Sequence, residues 1–453
     1  MREVVGVSPV VKFGIAGGVS EKTLQEIERR SIDFIASDAG SIDPGPYYLG
    51  SGKPFYPRTN MKKETEDLLT IAVRKNIPFL ISSAGFSGAR PHVAWMVDIV
   101  KEIATERGLK FRMATINAEQ EKDFIKKKLR QGTIHPLSVE KELTENNIEE
   151  SDSIVAMMGV EPFIRALDEG ASVVMAGRAL DAAPFAAIPI REGFDPGLAI
   201  HLGKILECGT LCATNPESDV GMVAYLRNDH FLLEGLEDHI VCTPTSVALH
   251  SLYERRDPYK IACPGGYLDL SATKFEATSG RSVRVSGSRF VKDDTYTVKL
   301  EGSGLVGYRT ICIAGVRCPR IIANIDGIVE GVTAAVKKKF PGDDYRVLFR
   351  IYGKNGVMGD LEPKKTIESH ELGIIIDAVA KTQDLANSVC SIARGTMTHY
   401  HFEGILSSAA NLAFPFSPFL HELGPVYRFS VHHRMEIEDP CELFPIKIET
   451  VGG

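Results

Sequence analysis

The sequence predicts an α/β fold: a mostly parallel sheet in the N-terminal half, doubly wound or barrel-like, with a second α+β domain behind it. Three observations lead there. Before residue 180, short runs that are apolar throughout alternate with segments of helical period, as in strands covered on both faces. After about Tyr225 the runs alternate apolar and polar residues, as half-exposed antiparallel strands do. The length of 453 residues exceeds what one hydrophobic core usually serves. The division expected is residues 1–230 for the α/β domain and 231–453 for the α+β domain.

The elements follow in order. Lys12–Ala16 reads as a strand, and Ser20 as the N-cap of a helix running through Arg30. Asp33–Ser37 is the next strand, leading into the Gly/Pro-rich loop "DAGSIDPGPYYLGSGKPFYPRTN". A polar helix covers Met61 to Lys75. The stretch beginning "IPFLISSAGFSGARPHVAWMVDIV" reads as strand, glycine loop and amphipathic helix. Val93, Met96, Val97, Val100 and Ile103 share one face of that helix, and Pro91 sits near its start. Lys110–Thr115 is a further strand. Ser153–Met158 and Ser172–Ala176, joined by a short helix over Glu161–Glu169, read as a parallel pair. In the second half "YLDLSAT", "SVRVSGS" and "DTYTVKL" are alternating strands, and helices cover Ile322 to Lys338 and Leu385 to Arg394.

Charge excludes some functions. Lys and Arg number 52 against 59 Asp and Glu, a net charge of −7, so nothing marks a nucleic-acid or membrane surface. No apolar run is long enough to span a bilayer, and Arg2, Glu3 and Lys12 interrupt any signal-like start. A cytoplasmic protein is expected. The eight cysteines include no C-x-x-C pair and match no common metal spacing, so they are expected as thiols.

In a parallel sheet, ligands bind beyond the carboxyl ends of the strands. The strand ending near Ser37 delivers Asp38 and Asp43, candidates for acid/base work or for a hard cation such as Mg²⁺. The loop "SSAGFSGAR" delivers Gly85, Ser87, Gly88 and Arg90. Its glycines would let backbone N–H groups approach an anion, and Arg90 would clamp it; the bland alternative is a tight strand–helix turn. The strand ending near Met158 delivers Glu161. The run "VVMAGRALD" delivers Gly177, Arg178 and Asp181: either a carboxylate clamp with its proton acceptor, or an Arg–Asp pair bracing the turn.

Near Gly209, a helix end carries Glu207 and Cys208. The negative end of a helix gives a thiolate no help, so Cys208 needs another activator to be a nucleophile. Glu207 is the better catalytic candidate, a carboxylate that burial can tune as a base. Lys354 and Asn355, in "YGKNGVMGD", are candidates to bind an acidic ligand, with a plain surface turn as the alternative. No NAD, FAD or ATP motif is present. The cofactor is open, with a divalent metal as one possibility.

Four blocks, "GVEPFIRALDEGASVVMAGRALDAAP", "GKILECG", "GSGLVGYRTICIAGVRCP" and "NLAFPFSPFLHELGPVYRFSVHH", make the chain resemble the acyclic terpene utilisation family AtuA, from near Gly14 to about Phe444. The resemblance implies catabolism of branched or polycarboxylic acids, free or as CoA thioesters, and site roles for Arg178, Asp181, Glu207 and Cys208. Departures in the early glycine loop leave Arg90 outside what it implies. Against the longer family members, the resemblance implies that the chain lacks a C-terminal extension and that a small, separately encoded companion protein supplies it. The function expected is a hydro-lyase or isomerase acting by proton abstraction beside a carboxylate. The alternatives are a non-catalytic subunit of a partner enzyme, or a CoA-thioester hydrolase or transferase. The partners expected are a small anionic substrate, the companion protein and copies of the chain itself, with no nucleic acid and no membrane.

Overall fold

The computed structural model describes residues 3–8, 18–137, 141–253, 256–407, 409 and 411–453. The strand expected at Lys12–Ala16 lies outside them. By its own contacts the chain forms two units, Met1–Gly304 with Phe429–Gly453, and Leu305–Arg428.

The first unit is built on a ten-stranded sheet. At its centre run five parallel strands in the order Val4–Ser8, Phe34–Asp38, Phe79–Ser82, Val173–Ala176 and Phe111–Ile116. Antiparallel strands flank them on both sides: Met222–Leu226 and His230–Gly235 beyond the first, Ile446–Val451 beyond the last. The sheet is open, so of the two forms expected the doubly wound one is realised. Its two faces are separable residue by residue, because successive side chains in a strand point to opposite sides. Phe34, Ala36, Val174 and Ala176 join one core with the helices Glu161–Asp168, Ala183–Arg191 and Pro196–Leu206. Ile35, Val173 and Met175 join another with Arg58–Lys75 and Arg90–Arg107.

Local signals account for several boundaries. Ser20 caps Glu21–Arg29, its Oγ accepting from the Thr23 N–H at 3.0 Å. Gly108, at φ +61°, ends Arg90–Arg107 in the left-handed conformation that glycine adopts without strain. One pairing differs from expectation. Ser153–Ala156 leaves the parallel sheet and pairs antiparallel with Thr297–Val316, touching the end of its expected partner only through an isolated parallel bridge, Met158 to Ala179. A strand buried on both faces looks the same in sequence whichever neighbour covers it. The change of pattern near Tyr225 falls inside this unit, where the alternating strands extend the same sheet.

The second unit is α+β. The later part of Thr297–Val316, with Leu372–Ala380 and Tyr345–Tyr352, makes an antiparallel sheet. Helices Ile325–Lys339 and Gln383–Thr398 contribute Val332, Val336, Val389 and Ala393 to its own core.

The parallel strands bring two loops together at their carboxyl ends. The Ser83 and Ala84 N–H groups donate to Gly177 and Ala176 at 3.0 Å, and the Arg178 N–H donates back to Gly88 at 3.2 Å. Gly88 sits at φ +66°, and a Cβ there would lie 2.2 Å from the Arg178 nitrogen. Gly88→Ala is therefore expected to lose about 2–4 kcal/mol of stability, read as a lower urea midpoint. Gly280→Ala, where a Cβ meets nothing within 4 Å, is expected to stay within about 0.5 kcal/mol. Equal midpoints for the two variants would contradict this packing.

Candidate functional site

Three carboxylates expected from the strand ends and the helix end meet. Asp38 ends its strand, Asp181 lies in the turn after Val173–Ala176, and Glu207 caps the helix Pro196–Leu206. One carboxylate oxygen from each lies within 4.8 Å of the other two. Asp38 and Glu207 are buried, whereas the Asp181 side chain is 25% exposed and marks the open side. The Ser82 hydroxyl donates to Asp38 Oδ1 at 2.8 Å.

Arg178 is buried beside them. Its Nε donates to Glu301 Oε2 at 2.8 Å, and its Nη1 to Asp181 Oδ1 at 3.2 Å and to the Ala179 carbonyl at 2.8 Å. Burial alone would lower its pKa, but Glu301 and Asp181 outweigh that and hold the guanidinium charged. Glu301 is wholly buried and also meets Lys299 Nζ at 2.5 Å. Burial would raise its pKa, yet Arg178 and Lys299 together hold it below the usual carboxylate range. Lys204 pairs with Glu207. Burial opposes its charge too, and the neighbouring Glu207, Asp181 and Cys208 keep its pKa above the ordinary lysine value.

The glycine loop is strained and closely packed. Ser83, Gly85, Phe86 and Gly88 all have positive φ, a conformation costly for the serine and the phenylalanine and found preferentially at functional sites. Phe86 stacks on Phe55 with ring centroids 4.4 Å apart. Ser87 is fully buried, with no hydrogen-bond partner for its hydroxyl among the described residues. Gly177 lies directly against Gly88, whose carbonyl oxygen would be 2.6 Å from a Cβ placed there. Arg90 turns outward: its side chain is 57% exposed and pairs with Glu121. The Arg90 N–H at the head of its helix accommodates a carboxylate of the chain itself, donating to Glu119 Oε2 at 2.8 Å.

Of the other candidates, Cys208 borders the cluster, whereas Asp43, Lys354 and Asn355 are not part of it. Cys208 is buried, its Sγ 4.0 Å from the Tyr253 hydroxyl. Asp43 is exposed, with its N–H on Ser41 Oγ. Lys354 and Asn355 belong to the second unit, where Lys354 pairs with Asp326 and the Asn355 N–H donates to the Ile351 carbonyl. Three participants were not among the expected site residues: Glu301, Lys299 and Lys204. The signals for Glu301 and Lys204 were a glutamate set among small and apolar residues in "VKLEGSG", and a lysine three residues before Glu207 in "GKILECG".

Among the described residues, Asp38, Asp181, Glu207 and Glu301 thus lie in one cluster with Arg178, Lys204 and Lys299. Oxygens sharing a hard cation at about 2.0–2.6 Å can lie no more than about 4–5 Å apart, and the carboxylate spacing falls in that range. Asp38, Asp181 and Glu207 therefore fit a divalent cation by both donor type and separation.

A family model described as acyclic terpene utilisation family protein AtuA matches residues 21–221 and 237–416, spanning all seven charged groups of the cluster. The chain belongs to the AtuA family. No curated protein and no solved structure matches it. No helix among the described residues of this AtuA family member is long and apolar enough to cross a membrane.

Removing the Glu301 charge should be costly. Glu301→Gln leaves Arg178 and Lys299 without their shared buried partner and is expected to lose about 3–5 kcal/mol at pH 7 in urea unfolding. The folded pKa of Glu301 lies below its ordinary value of 4.5. Its contribution is therefore complete above that pH and lost as pH falls through the folded value. The gap between wild type and variant should narrow on acidification below 4.5. A gap that is absent at pH 7, or that widens in acid, would contradict the pairing.

Proposed function

We propose that this AtuA family member is an enzyme that moves a proton beside the carboxylate or thioester carbonyl of a small acid, as a hydro-lyase or isomerase. The observation that carries this reading is the convergence of Asp38, Asp181 and Glu207 within 4.8 Å at the carboxyl ends of a parallel sheet, where such folds place their chemistry. Asp181 is the open member and acts as the base, with Arg178 fixing its orientation. The C–H electron pair then passes into an enolate, and the Lys204 ammonium stands near to offset the new charge. In a dehydration the β-hydroxyl leaves as water, taking a proton from the cluster. A divalent cation held by Asp38, Asp181 and Glu207 would supply electrostatic stabilisation of that enolate. The buried Glu301–Arg178–Lys299 set supports this arrangement from behind.

The test is proton exchange. A panel of hydroxylated and unsaturated di- and tricarboxylates, with their thioesters, is incubated in D₂O with Mg²⁺ or Mn²⁺ and followed by NMR. At least one member should incorporate deuterium at the carbon beside its carboxylate. Asp181→Asn should slow that exchange by about 10²–10⁴-fold. Exchange with no member of the panel, or exchange unaffected by Asp181→Asn, would overturn the proposal.

A further inference from the structure

A second cavity in the first unit has chemistry the carboxylate cluster does not use. It encloses about 310 Å³, at the lower end of the range for small-molecule sites. Its walls are mainly aliphatic and aromatic: Val160, Leu180, Ile190, Ile200, Phe290 and Pro440. Several of these are only partly buried against the core, so the pocket leaves apolar surface wet where close packing would normally cover it. Into this wall is set one polar pair. The Tyr296 hydroxyl donates to Glu161 Oε2 at 2.8 Å.

Two glycines make room for the pair. A Cβ on Gly159 would lie 2.5 Å from both Glu161 Oε2 and the Tyr296 hydroxyl, and one on Gly265 would strike the Tyr296 ring at 2.6 Å. Any larger residue at either place would push the pair out of its present position. Lys292 is the cation lining the cavity, and the Cys441 thiol neighbours the pair.

We infer that this cavity binds a small, uncharged, mainly aliphatic molecule through one hydroxyl or carbonyl oxygen, which the Glu161–Tyr296 pair recognises. The walls fit the hydrocarbon part, and a single polar pair fits a single oxygen. Burial pushes the Glu161 carboxyl above its ordinary value, with its own backbone N–H, the Tyr296 hydroxyl, Lys292 and the Val160 N–H offsetting part of the shift. Glu161 and Lys292 are the charged side chains of the lining, so an ionised Glu161 balances Lys292 and the walls offer an anion no net counter-charge. The inference stands independently of the reaction proposed above.

The probe is 3-methylbutan-1-ol, titrated into protein with labelled isoleucine, leucine and valine methyls and followed by NMR. Saturable shifts confined to Val160, Leu180, Ile190 and Ile200 are expected. Tyr296→Phe should weaken binding by about 3–10-fold, and Ile200→Phe should abolish it by filling the cavity. If Ile200→Phe fails to fold, Ile190→Phe fills the same space and should abolish binding in the same way. The anion 3-methylbutanoate should bind at least about tenfold more weakly than the alcohol. Non-saturating or scattered shifts, a filled variant that binds like wild type, an unaltered Tyr296→Phe, or equal affinity for the anion would each overturn the assignment.

Discussion

A charge cannot be buried alone, and Arg178 is buried. Its partner Glu301 is 123 residues away in sequence, on a strand that pairs with Ser153–Ala156 rather than joining the parallel sheet. The turn after Val173–Ala176 and the strand through Glu301 are thus bound by an electrostatic requirement as well as by packing. Lys299 gives Glu301 a second counter-charge, which makes the carboxylate a reliable anion. Around that anion the rest of the site is organised: Arg178 faces it with Nε and faces Asp181 with Nη1.

The consequence is a graded arrangement of carboxylates. Glu301 is committed to structure, while Asp38 and Glu207 are buried beside Ser82 and Lys204. Asp181 alone is partly exposed. Like charges this close raise one another's cost of ionisation unless cations intervene, and among the described residues Arg178, Lys204 and Lys299 do so.

Much of this was legible in the sequence, for a physical reason. Parallel strands must be apolar throughout, so their ends announce themselves, and the residues that follow share one edge of the sheet. That placed Asp38, Gly88, Gly177, Arg178 and Asp181 together, and Glu207 joined them from its helix end. The glycine loop was visible too, although the anion at its helix start is the chain's own Glu119. What stayed hidden were relations between distant segments. Nothing local in "VKLEGSG" names Arg178 as the partner of Glu301, and nothing in Ser153–Ala156 reveals that its neighbour is antiparallel. The strand Val4–Ser8 also escaped notice, since five apolar or small residues near a terminus carry no helical or turn signal around them. The outward turn of Arg90 depends on Glu119 and Glu121, which come from another loop.

On the proposed reading, Asp38, Asp181 and Glu207 act together as one centre that would hold a divalent cation. Titration of Mn²⁺ into the purified chain, followed by electron paramagnetic resonance of the free ion, tests it most directly. One saturable site per chain is expected, lost in Asp181→Asn and in Glu207→Gln while both variants remain folded. No binding by the wild type, or a site that survives both substitutions, would contradict it.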